Sequence, residues 1–202
     1  MNVEGLRTRT ALAAISDEGQ FEELATAVLR ISRPLYAAMS HPGVNPAGRT
    51  RKSPVDTVCY AIDDPHHIII GHHTISSVLR PKWLQDPATA KRTGRAKTPP
   101  VAGDVVKTIR RLQELREDDP DLRATLVLTT SREIEEPLMT EVVALAGRHD
   151  LVVDFWPGSR IAHVLDTDPD GQWVRSTQLG IRQELLSSAL LAKLSHEAVA
   201  RY

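Results

Sequence analysis

Two strand-like segments that almost touch in the sequence constrain the fold most. VDTVCYAI (55–62) and HHIIIGHHT (66–74) are rich in β-forming residues, and only the turn-forming Asp63-Asp64-Pro65 separates them. A connection this short joins antiparallel strands, because parallel strands need a long crossover. The sequence therefore predicts a β-hairpin within a larger sheet.

Helical and strand-like patterns alternate around this hairpin. An amphipathic helix is predicted over 18–32, because one of its faces collects Phe21, Leu24, Ala25, Val28 and Leu29. Further helices are predicted at 103–117 and 135–147, with short apolar strands at 124–130 and 151–156. The expected fold class is α/β, a mixed sheet with a β-hairpin flanked by helices.

The length of 202 residues suits one domain with appended segments. We expect an N-terminal extension (1–17), a core (18–166) and a C-terminal helical segment (167–202) that packs on the core. The last helix presents one apolar face that covers the sheet or, as the open alternative, contacts a second subunit in a homo-oligomer. That face carries Leu186, Leu190 and Leu194.

Composition excludes several classes of protein. The chain contains no run of about 18 apolar residues, so no membrane-spanning segment is expected. Cys59 is its only cysteine, which excludes a disulfide framework and a zinc site built from several thiolates. A cytoplasmic location is the expectation that follows.

Charge is distributed unevenly along the chain. The formal net charge is −1, yet residues 41–111 hold 12 Lys and Arg against five Asp. This section is therefore +7 and the rest of the chain −8. A basic section of this kind indicates a phosphate-bearing partner or a solvated basic loop, and charge alone does not distinguish them.

The hairpin brings together one acidic residue and one histidine. Paired residue numbers in an antiparallel hairpin have a constant sum, and a pair between Ile62 and His66 sets that sum at 128. Asp56 then lies opposite His72, with Cβ atoms roughly 5 Å apart, whereas a slip of one residue places His73 on that face. In either register an Asp and a His can share a divalent metal or a proton.

A series of short motifs, taken in order, resembles the restriction-endonuclease-like domains of the PD-(D/E)xK superfamily. The resemblance is to those found at the N-terminus of bacterial NTPase-linked conflict and defence proteins, and it covers roughly residues 20–202. The motifs are FEEL (21–24), SPVD (53–56), HHT (72–74), KWL (82–84), GDVVKTI (103–109), WPGSRIAHVLD (156–166), GQWVRSTQLGI (171–181) and LLAKLSHEAVARY (190–202).

This resemblance implies a metal-dependent DNA nuclease that acts as an effector in bacterial defence. Asp56 matches the metal-binding Asp, and Glu22 matches the acid of the first helix, although its place at the edge of the apolar stripe also suits a glutamate without a role. The family's Glu-x-Lys motif is missing, and His72 stands in its place. We expect Mg²⁺ or Mn²⁺ on Asp56, His72 and Glu22, with the catalytic lysine supplied by Lys82 or, second, by Lys107.

The basic segments are expected to hold the nucleic-acid backbone without reading its sequence. The missing Glu-x-Lys motif favours an alternative, a catalytically inactive module that binds nucleic acid or a protein partner such as an NTPase. The expected phosphate-binding residues are Arg49, Arg51, Lys52, Lys91, Arg92, Arg95 and Lys97.

Overall fold

The computed structural model describes residues 3–40, 55–89, 101–184 and 195. Four strands form one sheet in the order β1-β2-β3-β4. β1 runs antiparallel to β2, and β2, β3 and β4 run parallel, so the predicted mixed α/β sheet is confirmed. The strands are β1 (Thr57–Ala61), β2 (Asp64–Thr74), β3 (Arg123–Thr130) and β4 (Leu151–Trp156).

Seven α-helices and one 3-10 turn (Pro34–Tyr36) are described along the same ranges. The helices predicted at 18–32, 103–117 and 135–147 are confirmed as α2, α4 and α5. No helix in the described ranges is long and apolar enough to cross a bilayer. The helices are α1 (Val3–Ala14), α2 (Glu18–Ser32), α3 (Leu79–Leu84), α4 (Asp104–Asp118), α5 (Glu136–Gly147), α6 (Gly158–Thr167) and α7 (Pro169–Leu179).

The sheet lies between two layers of helices. α3, α4 and α5 cover one face, and α1, α2 and α6 cover the other, each over its own hydrophobic cluster. All five residues of the predicted apolar stripe on α2 are fully buried. β3 is buried from Ala124 to Thr130, as expected of a strand covered on both faces.

α1 and α7 come from the two segments expected to flank the core. α1 lies within residues 1–17 and packs against α6. α7 lies within residues 167–202 and contacts both α6 and α2. Leu186, Leu190 and Leu194 fall outside the described residues.

The register of the hairpin follows the predicted sum of 128, although its turn does not. Pairs run from Thr57 with Gly71 to Tyr60 with Ile68, after which the register shifts and Ala61 pairs with Asp64. The predicted pair between Ile62 and His66 is therefore wrong. Pro65 has no N–H to donate to the ladder, so regular pairing ends at this residue and the strands pair with a shifted register beside it.

Candidate functional site

The candidate site lies at the edge where the carboxyl ends of β2, β3 and β4 meet the start of β1. Ligands of open α/β sheets gather at this edge. Asp56 precedes β1, His72 lies near the end of β2, and Asp104 opens α4 above them. Three residues that are distant in sequence thereby come together.

Asp56 extends the hairpin by one position, since its N–H donates to the Gly71 carbonyl at 3.2 Å. Its Oδ2 accepts a hydrogen bond from the His73 N–H at 2.8 Å and lies 3.6 Å from Nδ1 of His72. Burial by itself would raise the pKa of Asp56, but the His72 ring and the His73 N–H hold that pKa at about 2. Asp56 is therefore an anion at neutral pH.

His72 is buried and has a defined tautomer in its neutral form. Its Nε2 lies 3.0 Å from Oγ1 of Thr108, whose single proton goes to the Asp104 carbonyl at 2.9 Å. The Thr108 oxygen therefore accepts from Nε2–H. In the neutral ring this leaves the lone pair on Nδ1, whereas in the protonated ring Nδ1–H points toward the carboxylates that it faces and stabilises the Asp56 anion. That nitrogen faces Oδ2 of Asp56 at 3.6 Å and Oδ1 of Asp104 at 4.0 Å.

Asp104 is a buried carboxylate between two lysines. Lys107 donates to Oδ1 at 2.9 Å, and Nζ of Lys82 lies 3.7 Å from Oδ2. Within the described part of the chain, Oδ2 has no hydrogen-bond partner. A buried carboxylate oxygen in this state is able to accept a further ligand.

Gly103 brings the lysine of α3 and the aspartate of α4 together. Its N–H donates to the Gln85 carbonyl at 2.7 Å, directly after the end of α3. A Cβ atom at position 103 would lie 2.5 Å from the carbonyl carbon and oxygen of Trp83. Only glycine permits α4 to begin this close to α3, and Lys82 reaches Asp104 as a result.

Glu22 approaches the site from α2, on the opposite face of the sheet. Its side chain is partly buried, and burial together with the charge of Asp56 raises its pKa to about 7. The charge of Lys82 acts in the opposite direction on this pKa. Glu22 therefore lies within electrostatic reach of both residues.

Asp56 and His72 lie together as the sequence predicted, Lys82 is next to them through Asp104, and Glu22 is close enough for the charges of Asp56 and Lys82 to act on its pKa. The alternative register with His73 on this face is wrong, because the His73 ring contacts Thr57 and Thr129 on the other side of the sheet. The seven residues expected to bind phosphates all lie outside the described ranges. They are Arg49, Arg51, Lys52, Lys91, Arg92, Arg95 and Lys97.

Asp104 is the residue that sequence reasoning missed. An acidic residue in the first turn of a helix is ordinarily explained by the helix dipole, so its type and position gave no indication of a site. The available signal was the spacing to Lys107, one turn later on the same face. Both lysine candidates, Lys82 and Lys107, turn out to contact this one carboxylate.

The site contains carboxylate oxygens and an imidazole nitrogen, which are donor types that divalent cations use, but their spacing is not that of a metal site. No group of three His, Cys, Asp or Glu side chains in the described ranges is already arranged as a metal site. Ligands of an octahedral ion at about 2.1 Å lie about 3 Å apart, and the separations of 3.6 and 4.0 Å around Nδ1 of His72 exceed this. A metal held by Asp56, His72 and Asp104 would need these side chains to lie closer together than they do here.

Comparison with known proteins finds no relative of this chain. No protein-family model, no curated protein and no solved structure matches the chain. The likeness to restriction-endonuclease-like domains therefore depends on the motifs and their order, and it stays a prediction.

Proposed function

We propose that the chain is a metal-dependent nuclease that hydrolyses phosphodiester bonds. One observation carries the proposal: the Asp56 carboxylate, Nδ1 of His72 and the buried Asp104 carboxylate come together at the carboxyl edge of the sheet, with Lys82 against Asp104. Acidic oxygens, a nitrogen ligand and a lysine are the groups that metal-assisted phosphodiester hydrolysis uses.

Asp56, His72 and Asp104 would hold the metal, with Glu22 as a further carboxylate at the rim. A bound divalent ion activates water and neutralises charge on the phosphate. The His72 nitrogen favours Mn²⁺ over Mg²⁺, which prefers oxygen ligands. The Thr108 hydroxyl keeps the His72 ring oriented, as an outer partner does in many metal sites.

Lys82 is the candidate for stabilising charge that develops on the phosphate. Its ammonium group is partly exposed, whereas the carboxylate of Asp104 beneath it is buried. An anion that approaches from solvent therefore meets the lysine before the carboxylate. This order suits a substrate phosphate that must reach an acidic site.

DNA is the proposed substrate, and a role as an effector of bacterial defence is proposed with it. The motif resemblance supports both, and the charge of +7 over residues 41–111 supports an anionic partner.

The test is cleavage of supercoiled plasmid DNA with Mn²⁺ or Mg²⁺. We expect nicking by the wild-type protein, faster with Mn²⁺, and loss of at least about a hundredfold in Asp56→Asn and Asp104→Asn. Asp118→Asn, an exposed change at the far end of α4, is the matched control and should keep activity. Equal cleavage by wild type and Asp56→Asn would show that the nuclease activity does not come from this site.

A second candidate is a catalytically inactive nuclease fold that binds nucleic acid or a protein partner. The observation in its favour is that Lys82 and Lys107 already neutralise Asp104, which suits a closed structural ion cluster. No cleavage, with DNA retained in a gel-shift assay, would favour the nucleic-acid-binding form. Neither cleavage nor binding would favour docking of a protein such as an NTPase.

A further inference from the structure

A groove adjoins the candidate site on the α4 side of the hairpin. We call it the hairpin groove, and it encloses about 680 Å³ between the sheet and α4. Its floor is apolar and consists of two cross-strand pairs, Val58 with Ile70 and Tyr60 with Ile68. Tyr60 is 48% exposed at its mouth.

The opposite wall of the hairpin groove carries three cationic side chains and one acidic side chain, Glu114. Arg110 and Arg111 lie three and four residues after Lys107, so all three are on one side of α4. Arg110 pairs with Asp86 at 3.2 Å and Arg111 with Glu114 at 2.9 Å. These ion pairs are exposed and worth little, so an incoming phosphate can replace them.

The groove is continuous with the candidate metal site. Lys107 lines the groove and donates to Asp104, and Val55 of the groove precedes Asp56 in the chain. A ligand that lies along the groove therefore reaches the acidic site at one end. The groove thus presents an apolar, aromatic side and a cationic side that lead to the same point.

We propose that this site takes single-stranded nucleic acid, with an unpaired base in the hairpin groove against Tyr60 and its phosphates on Arg110 and Arg111. The inference rests on the proposed nuclease function. A duplex offers its phosphates but keeps its bases stacked inside, so an apolar floor gains nothing from it. An unpaired strand offers both charge and aromatic faces, which is the combination that single-strand binding sites use.

An acidic amphipathic peptide is the competing occupant of such a groove. Continuity with the Asp104–Lys107 pair favours the nucleic acid, because a strand in the groove brings a phosphate to Lys107 and Lys82. The peptide has no phosphodiester bond to present at that end. The competing occupant is therefore one of the outcomes of the test.

The test is fluorescence anisotropy with one labelled 16-nucleotide DNA, either single-stranded or annealed to its complement, in the presence of EDTA. We expect the wild type to bind the single strand at least about tenfold more tightly than the duplex. Tyr60→Ser should weaken single-strand binding by at least about fivefold, and Tyr60→Phe, which keeps the ring, should not. Arg110→Gln with Arg111→Gln should lower affinity and reduce its salt dependence.

Val152→Ser and Arg148→Gln are the matched controls, an exposed strand residue and an exposed arginine far from the groove. Equal affinity for both DNA forms, or no effect of Tyr60→Ser, would overturn the inference and favour the acidic peptide. Plasmid cleavage with no single-strand preference would leave the nuclease proposal standing. Tyr60-dependent binding without any metal-dependent cleavage would support single-stranded nucleic acid as the ligand of the hairpin groove and would contradict the nuclease proposal.

Discussion

Asp56 and His72 face each other across the hairpin, with Oδ2 of the carboxylate 3.6 Å from Nδ1 of the imidazole. The contact is a consequence of register, because Thr57 pairs with Gly71 and the next position along each strand follows. It places a charged oxygen beside an imidazole nitrogen at the carboxyl edge of the sheet.

Divalent metal should stabilise the folded protein through Asp104. We expect Mn²⁺ to raise the melting temperature of the wild type, with a gain of about 2.7 kcal/mol at a hundredfold excess over Kd. Asp104→Asn should lose this gain, since its amide cannot supply the anionic oxygen. Differential scanning calorimetry with and without EDTA measures both, and Asp118→Asn is the control. The same metal-dependent shift in Asp104→Asn would contradict this assignment.

Glu22 should make stability fall as pH rises from about 4.5 to about 7. Its pKa in the folded chain is about 7 against an ordinary value of 4.5, so the folded state retains a proton that the unfolded state loses. Glu22→Gln removes this penalty and should be more stable than the wild type by about 1 kcal/mol at pH 8, after allowance for solvent screening. Urea unfolding in EDTA at several pH values measures the difference.

The neighbouring exposed Glu23 provides the matched control for that experiment. Glu23→Gln should track the wild type at every pH. A difference between Glu22→Gln and wild type that stays constant from pH 4.5 to pH 8 would show that Glu22 titrates normally.

Gly71→Ala should disturb the hairpin at the level of the site. A Cβ atom there would lie 2.2 Å from Oγ1 of Thr57 and 2.9 Å from Cε of Met39. Separation of β1 from β2 should cost about 1–3 kcal/mol and weaken Mn²⁺ binding, because Asp56 moves with β1. Urea unfolding and metal titration measure the two effects.

Gly147→Ala is the control for this substitution, since nothing lies within 4 Å of the added Cβ at the end of α5. It should be neutral or stabilising by up to about 1 kcal/mol, because alanine suits a helix better than glycine. A loss in Gly147→Ala equal to that in Gly71→Ala would exclude the steric explanation.

Asp154 should matter for stability and not for activity. Its carboxylate accepts hydrogen bonds from the Tyr36 hydroxyl at 2.5 Å, the Trp156 indole N–H at 2.9 Å and Arg160 at 2.6 Å. Asp154→Asn loses the charge that these donors share, at a cost of about 2–3 kcal/mol in the free energy of unfolding. The exposed substitution Asp121→Asn is the control, and unchanged stability in Asp154→Asn would contradict the prediction.

Low pH should remove the stabilisation by the Asp154 carboxylate from the wild type. Burial would raise the pKa of Asp154, but the hydrogen bonds from Tyr36, Arg160 and Trp156 outweigh burial and lower it. A depressed folded pKa means that the stabilisation is present above the ordinary Asp pKa and is lost as pH falls below it. Urea unfolding between pH 2 and pH 6 should therefore show a smaller difference between wild type and Asp154→Asn at the acid end.

Local patterns in the sequence were sufficient for the elements and for one contact of the site. The apolar stripe on α2 and the uniform apolar run of β3 predicted helix and strand correctly. A helix buried on one face repeats apolar residues every three or four positions, and a strand buried on both faces is apolar throughout. The same logic placed Asp56 opposite His72, since a hairpin joins its strands with little freedom of register. The predicted turn was wrong, because Pro65 interrupts the hydrogen-bonded ladder. The constant sum of paired residue numbers gives no sign of such an interruption.

Only the tertiary structure decided that Asp104, Lys82 and Lys107 join Asp56 and His72. These residues belong to separate elements, and their meeting depends on α4 beginning against α3 at Gly103 and packing over the sheet. An aspartate at a helix start is ordinary by its local pattern, and its burial beneath two lysines arises from packing between elements. The sequence by itself determined the strands, the α2 stripe and the Asp56–His72 pair, because neighbouring residues and a short turn control them. Contacts between distant elements have no such local cause, and the fold alone assembled the rest of the site.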